Sequence, residues 1–300
     1  MRHPLMCSLP IVLALALLGC QARQAELPAL PAWQSSEGRN DAMLGQIREL
    51  ATGRTLTPAQ LVQALATAPR VLVGEKHDNP DHHALERWLL QALQSQRPQG
   101  SLLLEMLQPE QQARVDALRG RAQWPEDLPK ALAWQDGWSW QLYGPIVRDA
   151  LRGPQPLLAA NLSPDEMRQA YRQQPVLQGE RSNAPAVKAA LLEEVRAGHC
   201  DLLPETQLPA MLVIQQQRDR RMAERLLAAP EPALLLAGSF HARKDLGVPL
   251  HLADLGAKGA TQVLLLAEVG EPVAAATADY VWYTAAMPAQ DYCAGLHRGP

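Results

Sequence analysis

Several apolar runs in this chain end abruptly in side chains that can do chemistry. Val71-Leu72-Val73-Gly74 leads into Glu75, Lys76 and His77, and far along the chain Leu234-Leu235-Leu236-Ala237-Gly238 leads into Ser239, Phe240 and His241. Ser101-Leu102-Leu103-Leu104 runs into Glu105, and Leu157-Leu158-Ala159-Ala160 into Asn161. Imidazole nitrogens and carboxylate oxygens both coordinate zinc, manganese or iron, so His77, His241, Glu75 and Glu105 in one cleft would suit a divalent metal. They would equally suit acid–base work, with one carboxylate raised in pKa by its neighbour and an imidazole near neutrality. A third reading is structural: the carboxylates accept hydrogen bonds from backbone or from Arg218 and Arg221, and the histidines bond loop carbonyls. Residue types alone leave these open. Arg218, in the run Gln217-Arg218-Asp219-Arg220-Arg221, either faces an anionic ligand or pairs along a solvated helix surface.

Such residues meet only if the elements before them share a sheet edge. Strands apolar throughout, alternating with helices, imply α/β architecture: a largely parallel sheet with helices on both faces. In such sheets ligands bind beyond the carboxyl ends of the strands. Glu75, His77, Glu105, Asn161 and His241 all fall there, so they are expected at one rim. Strands are expected at residues 70–74, 101–106, 156–161, 233–237, 262–266 and 279–283. Thr57-Pro58 and Ser163-Pro164-Asp165-Glu166 supply helix starts, the second with a carboxylate placed for a capping box. Further helices are expected over 80–93, 109–119, 143–151 and 209–228, and Gly247-Val248-Pro249 reads as a turn. The looser stretch at about 164–208 reads as a small helical lobe, with one helix around 187–195. Asp78, Asn79 and His82 sit where a helix begins and read as caps; His83 and Trp88 read as ordinary helix-face residues, and His251 and His297 as peripheral.

The amino terminus carries Arg2 and His3, an apolar run, and Leu17-Leu18-Gly19-Cys20. The run is short of the roughly 20 apolar residues a spanning helix needs and reads as a secretory signal over 1–19. Its ending resembles a bacterial lipobox, with Cys20 acylated as the mature terminus; the plainer reading is a signal peptide with a chance cysteine. Gln21 resembles the pattern that sends lipoproteins to an outer membrane, so the expected place is lipid-anchored at the outer membrane, facing the periplasm. Residues 20–40, with Pro28, Pro31, Ser35 and Ser36, read as the tether, and 41–300 as a single α/β domain. The net charge of −3, with acids and bases interspersed, argues against nucleic acid as a partner. Export leaves Cys200 and Cys293 either as a disulfide or as two free, buried thiols.

Aromatic usage is uneven, with seven tryptophans against one phenylalanine, Phe240. Trp134, Trp138 and Trp140 cluster ahead of Tyr143; indoles flank flat ligands, though core packing is their commoner use. A tyrosinate is one of the axial ligands that haem iron accepts.

In order along the chain, Val71-Leu72-Val73-Gly74-Glu75-Lys76-His77, Leu102-Leu103-Leu104-Glu105, Trp140-Gln141-Leu142-Tyr143, Ala160-Asn161-Leu162, His199-Cys200, Gln217-Arg218-Asp219-Arg220-Arg221-Met222-Ala223 and Gly238-Ser239-Phe240-His241 resemble the ChaN family of haem-binding, iron-regulated lipoproteins. The resemblance implies a domain that binds haem during iron acquisition, beside components of a haem uptake system. It also implies a homodimer on haem binding, with stacked haems, each iron held by one tyrosine and a histidine of the opposite subunit near the propionates. Carried over, Tyr143 is the expected iron ligand, with Tyr171 second; His199 is the expected histidine, with His77 in reserve. The Gly-Glu-x-His and Gly-x-x-His pair also resembles a wider erythromycin-esterase-like and Tiki/TraB group, some of whose members are hydrolases. That gives the alternative of a periplasmic metal-dependent hydrolase using Glu75, His77, Glu105 and His241. An interaction module using the tryptophan-rich segment is a third expectation.

Overall fold

The computed structural model describes residues 26–294. The expected signal segment, the lipidation site Cys20 and His297 lie outside the described residues. Eight strands form one sheet. An antiparallel edge is made by β1 (Ile47–Glu49) and β2 (Thr55–Leu56). The rest are mutually parallel: β3 (Arg70–Glu75), β4 (Ser101–Leu104), β5 (Leu157–Ala159), β6 (Ala233–Gly238), β7 (Thr261–Glu268) and β8 (Tyr280–Thr284). The order is β2-β1-β8-β7-β3-β6-β4-β5, which puts β3 and β6, the strands ending in Glu75 and Gly238, side by side at the centre.

Successive strand residues point to opposite faces, so runs with no polar alternation must be covered twice. Val71, Val73, Leu102, Leu104, Leu234 and Leu236 pack on one face against α1 (Pro58–Ala66), α2 (Pro80–Gln96) and the helix over Trp140–Arg152. Leu72, Leu103, Leu235, Val263 and Leu265 pack on the other, against residues 222–226 and 248–252. A short 3-10 turn opens α3 (Gln112–Leu118); α4 (Leu128–Ala131) and α5 (Trp140–Arg152) follow. Next come α6 (Pro164–Gln173), α7 (Pro185–Gly198), α8 (Leu208–Ala228), α9 (Ser239–Ala242) and α10 (Val248–Asp254). Both α6 and α7 lie against α8. The capping boxes form as the sequence implies: Thr57 with Gln60, and Ser163 with Glu166. Among the described residues no helix is long and apolar enough to cross a membrane.

Two local expectations are corrected. Gly247-Val248-Pro249 is not a free-standing turn but the start of α10, with proline in its first turn where no amide is needed. Gly247 itself presses on the preceding helix, since a Cβ there would come 2.1 Å from the His241 carbonyl oxygen. The described part of the expected tether is docked rather than free. Leu27 and Trp33 pack on the core, the Asp81 carboxylate accepts from the Gln34 and Ser35 amides at 2.6 and 3.0 Å, and Trp88 Nε1 donates to the Pro28 carbonyl at 2.9 Å. Few apolar anchors are needed when a buried carboxylate captures the backbone. Cys200 and Cys293 are joined by a disulfide.

Candidate functional site

The carboxyl ends of β3, β4 and β6 open into a cavity of about 630 Å³. Pairing Glu75 with Gly238, and Glu105 N with the Leu236 carbonyl at 3.1 Å, sets the three strand ends level. Glu75, His77, Glu105, Arg218 and His241 all line this space, as the parallel-sheet rule requires. Asn161 stands just behind it: its Nδ2 donates to the Glu105 carbonyl at 2.9 Å and its Oδ1 accepts from Arg218 Nε at 3.2 Å. Gly238 is glycine for a local reason, because a Cβ there would sit 2.8 Å from His77 Cε1 and Nε2.

Two clusters of ionisable side chains flank the cavity. In the first, Glu75 Oε1 lies 2.5 Å from His77 Nδ1 and accepts the Tyr143 hydroxyl at 2.8 Å. Burial works against a charged His77 ring, but the hydrogen bond and charge of Glu75 outweigh it and raise its pKa. Behind this pair, His83 Nδ1 meets Glu86 Oε2 at 3.1 Å, and His83 Nε2 lies 3.1 Å from the His77 carbonyl and 4.0 Å from Glu75 Oε2. Burial lowers and Glu86 raises the His83 pKa, with a net rise to about 9, while burial pushes Glu86 up to about 7. Tyr143 is driven far above its ordinary value by burial and by the charge of Glu75, so it is a neutral donor.

In the second cluster Glu105 accepts from the Gly238 amide at 2.8 Å and from Arg218. His241 lies between two carboxylates, with Nε2 3.4 Å from Glu105 and Nδ1 2.6 Å from Asp219. Burial disfavours its charge, but Glu105 and Asp219 lift its pKa to about 9. Burial likewise opposes the Glu105 charge, and His241 and Arg218 beside it hold that carboxyl well below the usual range. Burial raises the carboxyl of Asp219.

The residues expected to meet haem are placed as follows. Tyr143 is 1% exposed and lies beneath the cavity rather than in it, its hydroxyl spent on Glu75. Tyr171 is partly exposed on α6 and does not line the cavity. His199 ends α7 with Nδ1 2.7 Å from the Val195 carbonyl; its neighbour Gly198 reaches the cavity wall. The divalent-metal expectation finds no support: among the described residues no group of three or more His, Cys, Asp or Glu side chains is arranged to hold an ion. The donors are already satisfied, Glu105 by a guanidinium and an amide, His241 by two carboxylates. The structural reading of Glu105 was therefore half right, with Arg218 as its partner while Arg221 pairs with Glu166 instead.

Asp219, His83 and Glu86 do work that sequence reasoning missed. The signal was helical spacing: Gln215, Arg218 and Asp219 share one face of α8, and His83 and Glu86 stand three apart on α2. Asn79 is the expected cap, accepting from the Asp81 and His82 amides, whereas His82 ties Lys76 N to Thr284.

The chain is of the class of largely parallel α/β sheets with a cavity at the carboxyl rim, the edge at which such sheets place their ligands. Residues 61–252 match the family described as haem-binding uptake, Tiki superfamily, ChaN. The structure of cofacial heme binding to ChaN of Campylobacter jejuni is similar at 30% identity and a TM-score of 0.71, over 79% of this chain and 95% of that one. The chain belongs to the ChaN family. An erythromycin esterase mutant in its open conformation is similar at 14% identity and a TM-score of 0.44, over 80% of this chain and 82% of that one. The type III effector HopBA1 is similar at 12% identity and a TM-score of 0.40, over 82% and 99%. No curated protein sequence matches this chain.

Proposed function

We propose that this protein binds haem in the cavity at the carboxyl rim and serves haem uptake. The observation that carries the reading is the cavity itself, of a volume suited to a small-molecule cofactor, in a chain of this family. Its lining fits the group. Trp138 and Phe240 offer flat apolar surface with Leu266 beside them, Lys76, paired with Glu268 at 2.8 Å, brings a cation to the same wall, and His77 presents an imidazole. Haem would bring an iron that accepts one or two axial donors. The chain would be lipid-anchored through Cys20 at the outer membrane, face the periplasm, pass haem to or from uptake components, and pair with a second copy when loaded. Titrating hemin into the purified protein while recording the Soret band tests the reading: a shifted band saturating at a fixed stoichiometry is expected, and a spectrum identical to free hemin would remove it.

One observation favours a second reading. His77 Nδ1 on Glu75 at an open cavity edge is an arrangement that can accept a proton from water, so a periplasmic hydrolase acting on an ester or peptide would use these residues by acid–base chemistry. Ester and peptide turnover by wild type, lost in Glu75→Gln, is its signature; no turnover by wild type would end it.

A further inference from the structure

We propose that residues 287–293 form a strap beside the cavity with the Cys200–Cys293 disulfide as its latch, so that a dithiol, by reducing the bond, frees the strap and loosens the cavity entrance. The strap leaves the carboxyl end of β8, where the Met287 amide donates to Glu268 Oε1 at 3.0 Å. The same carboxylate accepts from Asn79 Nδ2 and from Lys76 Nζ, each at 2.8 Å, so the strap begins against the loop that carries His77. Farther on, the Tyr292 hydroxyl donates to Asp78 of that loop, and Cys293 is bonded to Cys200 in the turn after α7. Lys76, His77 and Gly198 line the cavity. The strap therefore joins the loop after β3 to the turn after α7, two segments that border the entrance.

Little else holds either partner. Pro288 to Tyr292 are exposed, and among the described residues the bond from Tyr292 to Asp78 is the strap's one hydrogen bond to the body beyond Met287. The hydrogen bonds of residues 199–207 stay within residues 195–211. Cys200 and Asp201 are consecutive non-glycine residues in the left-handed region, at φ 59° and 56°, a conformation that persists only where the surroundings impose it. The cross-link is the covalent constraint at that point. The buried clusters on the two sheet faces include neither cysteine, so the domain keeps its packing when the bond opens. Both cysteines are partly exposed, and exposed disulfides are the labile ones. In the exchange a thiolate of the dithiol attacks one sulfur, the Cys200–Cys293 bond breaks as a mixed disulfide forms, and the second thiol of the reagent displaces the protein sulfur. Two electrons and two protons end on Cys200 and Cys293, and the reagent leaves oxidised to its own disulfide.

The test reads hydrogen exchange by mass spectrometry on the oxidised full chain, on the same chain after dithiothreitol, and on Cys200→Ser with Cys293→Ser without reductant. Amides of residues 76–79, 199–207 and 288–294 should exchange about tenfold faster in the reduced protein and in the variant, while β3 and β6 stay protected. Unchanged exchange in those segments would overturn the latch, and so would protection lost from β3 and β6 as well, since the bond would then hold the fold and not the strap. Hemin is the probe of the entrance, used without reductant: its release to excess apomyoglobin should be about tenfold faster from the variant than from the oxidised wild type, in proportion to the opening. Equal release rates would overturn the control of access. If neither protein binds hemin, the haem reading fails, and the exchange of residues 76–79 still decides the latch.

Discussion

The Tyr143 hydroxyl donates to Glu75 Oε1 at 2.8 Å across 68 positions of sequence, joining the helix after the tryptophan-rich segment to the central strand. This bond belongs to the core, since both side chains are essentially buried. Tyr143→Phe would keep the ring contact with His83, at 4.3 Å between centroids, and remove one donor from a buried carboxylate. A loss of about 1–3 kcal/mol is expected in urea unfolding. No change in the unfolding midpoint would show that the bond contributes nothing.

The buried histidines fix a pH dependence. His83 and His241 titrate at about 9 in the folded protein, whereas an unfolded histidine titrates near 6.5. A raised folded value means the native state holds the proton more tightly, so the stabilisation is full below about pH 6.5 and fades as pH rises to about 9. Melting temperature should fall across that window, and His241→Gln should fall less steeply. A flat wild-type profile would contradict the charged pairs.

Gly238 links strand geometry to His77. In Gly238→Ala the new Cβ would lie 2.8 Å from the imidazole edge, and His77, half-exposed, can swing aside at little cost to the fold. Melting should shift by only a few degrees, as for a cost within about 1 kcal/mol. Hemin affinity should drop by about tenfold, or about 1.4 kcal/mol. Unchanged hemin affinity would mean the ring's position is immaterial.

The disulfide ties the turn after α7 to the carboxyl-terminal segment. Cys200 follows Gly198 of the wall, and Cys293 follows Tyr292, whose hydroxyl donates to Asp78 in the loop that carries His77. The cross-link spans 93 positions, for which loop-closure entropy gives about 4 to 5 kcal/mol, within the 2–5 kcal/mol usual for native disulfides. Cys200→Ser with Cys293→Ser should lose about that much in urea unfolding and respond no further to reductant. Wild type indifferent to reductant would contradict this.

The sheet was legible because its strands must be apolar on both faces, and the runs ending in Glu75, Glu105 and Gly238 say so without tertiary information. Capping at Thr57, Asn79 and Ser163 is equally local. The edge strands β1 and β2 were not legible: Ile47–Glu49 and Thr55–Leu56 are too short to carry a period, and only pairing, of β1 with β8 and of β2 with β1, makes them strands. The convergence of Glu75, Glu105 and His241 followed from topology, but their partners did not. Asp219 reads as a solvated helix residue until His241 of α9 is laid against α8, and Tyr143 looks exposed until α5 packs on α2. Burial decides both roles, and burial of a polar side chain is what a sequence states least clearly.

The position of the iron itself tests the account most directly. Anomalous scattering from crystals of the hemin complex should place one iron peak per chain inside the cavity, beside His77 and Phe240. A peak elsewhere, such as beside Tyr171 on α6, would contradict it.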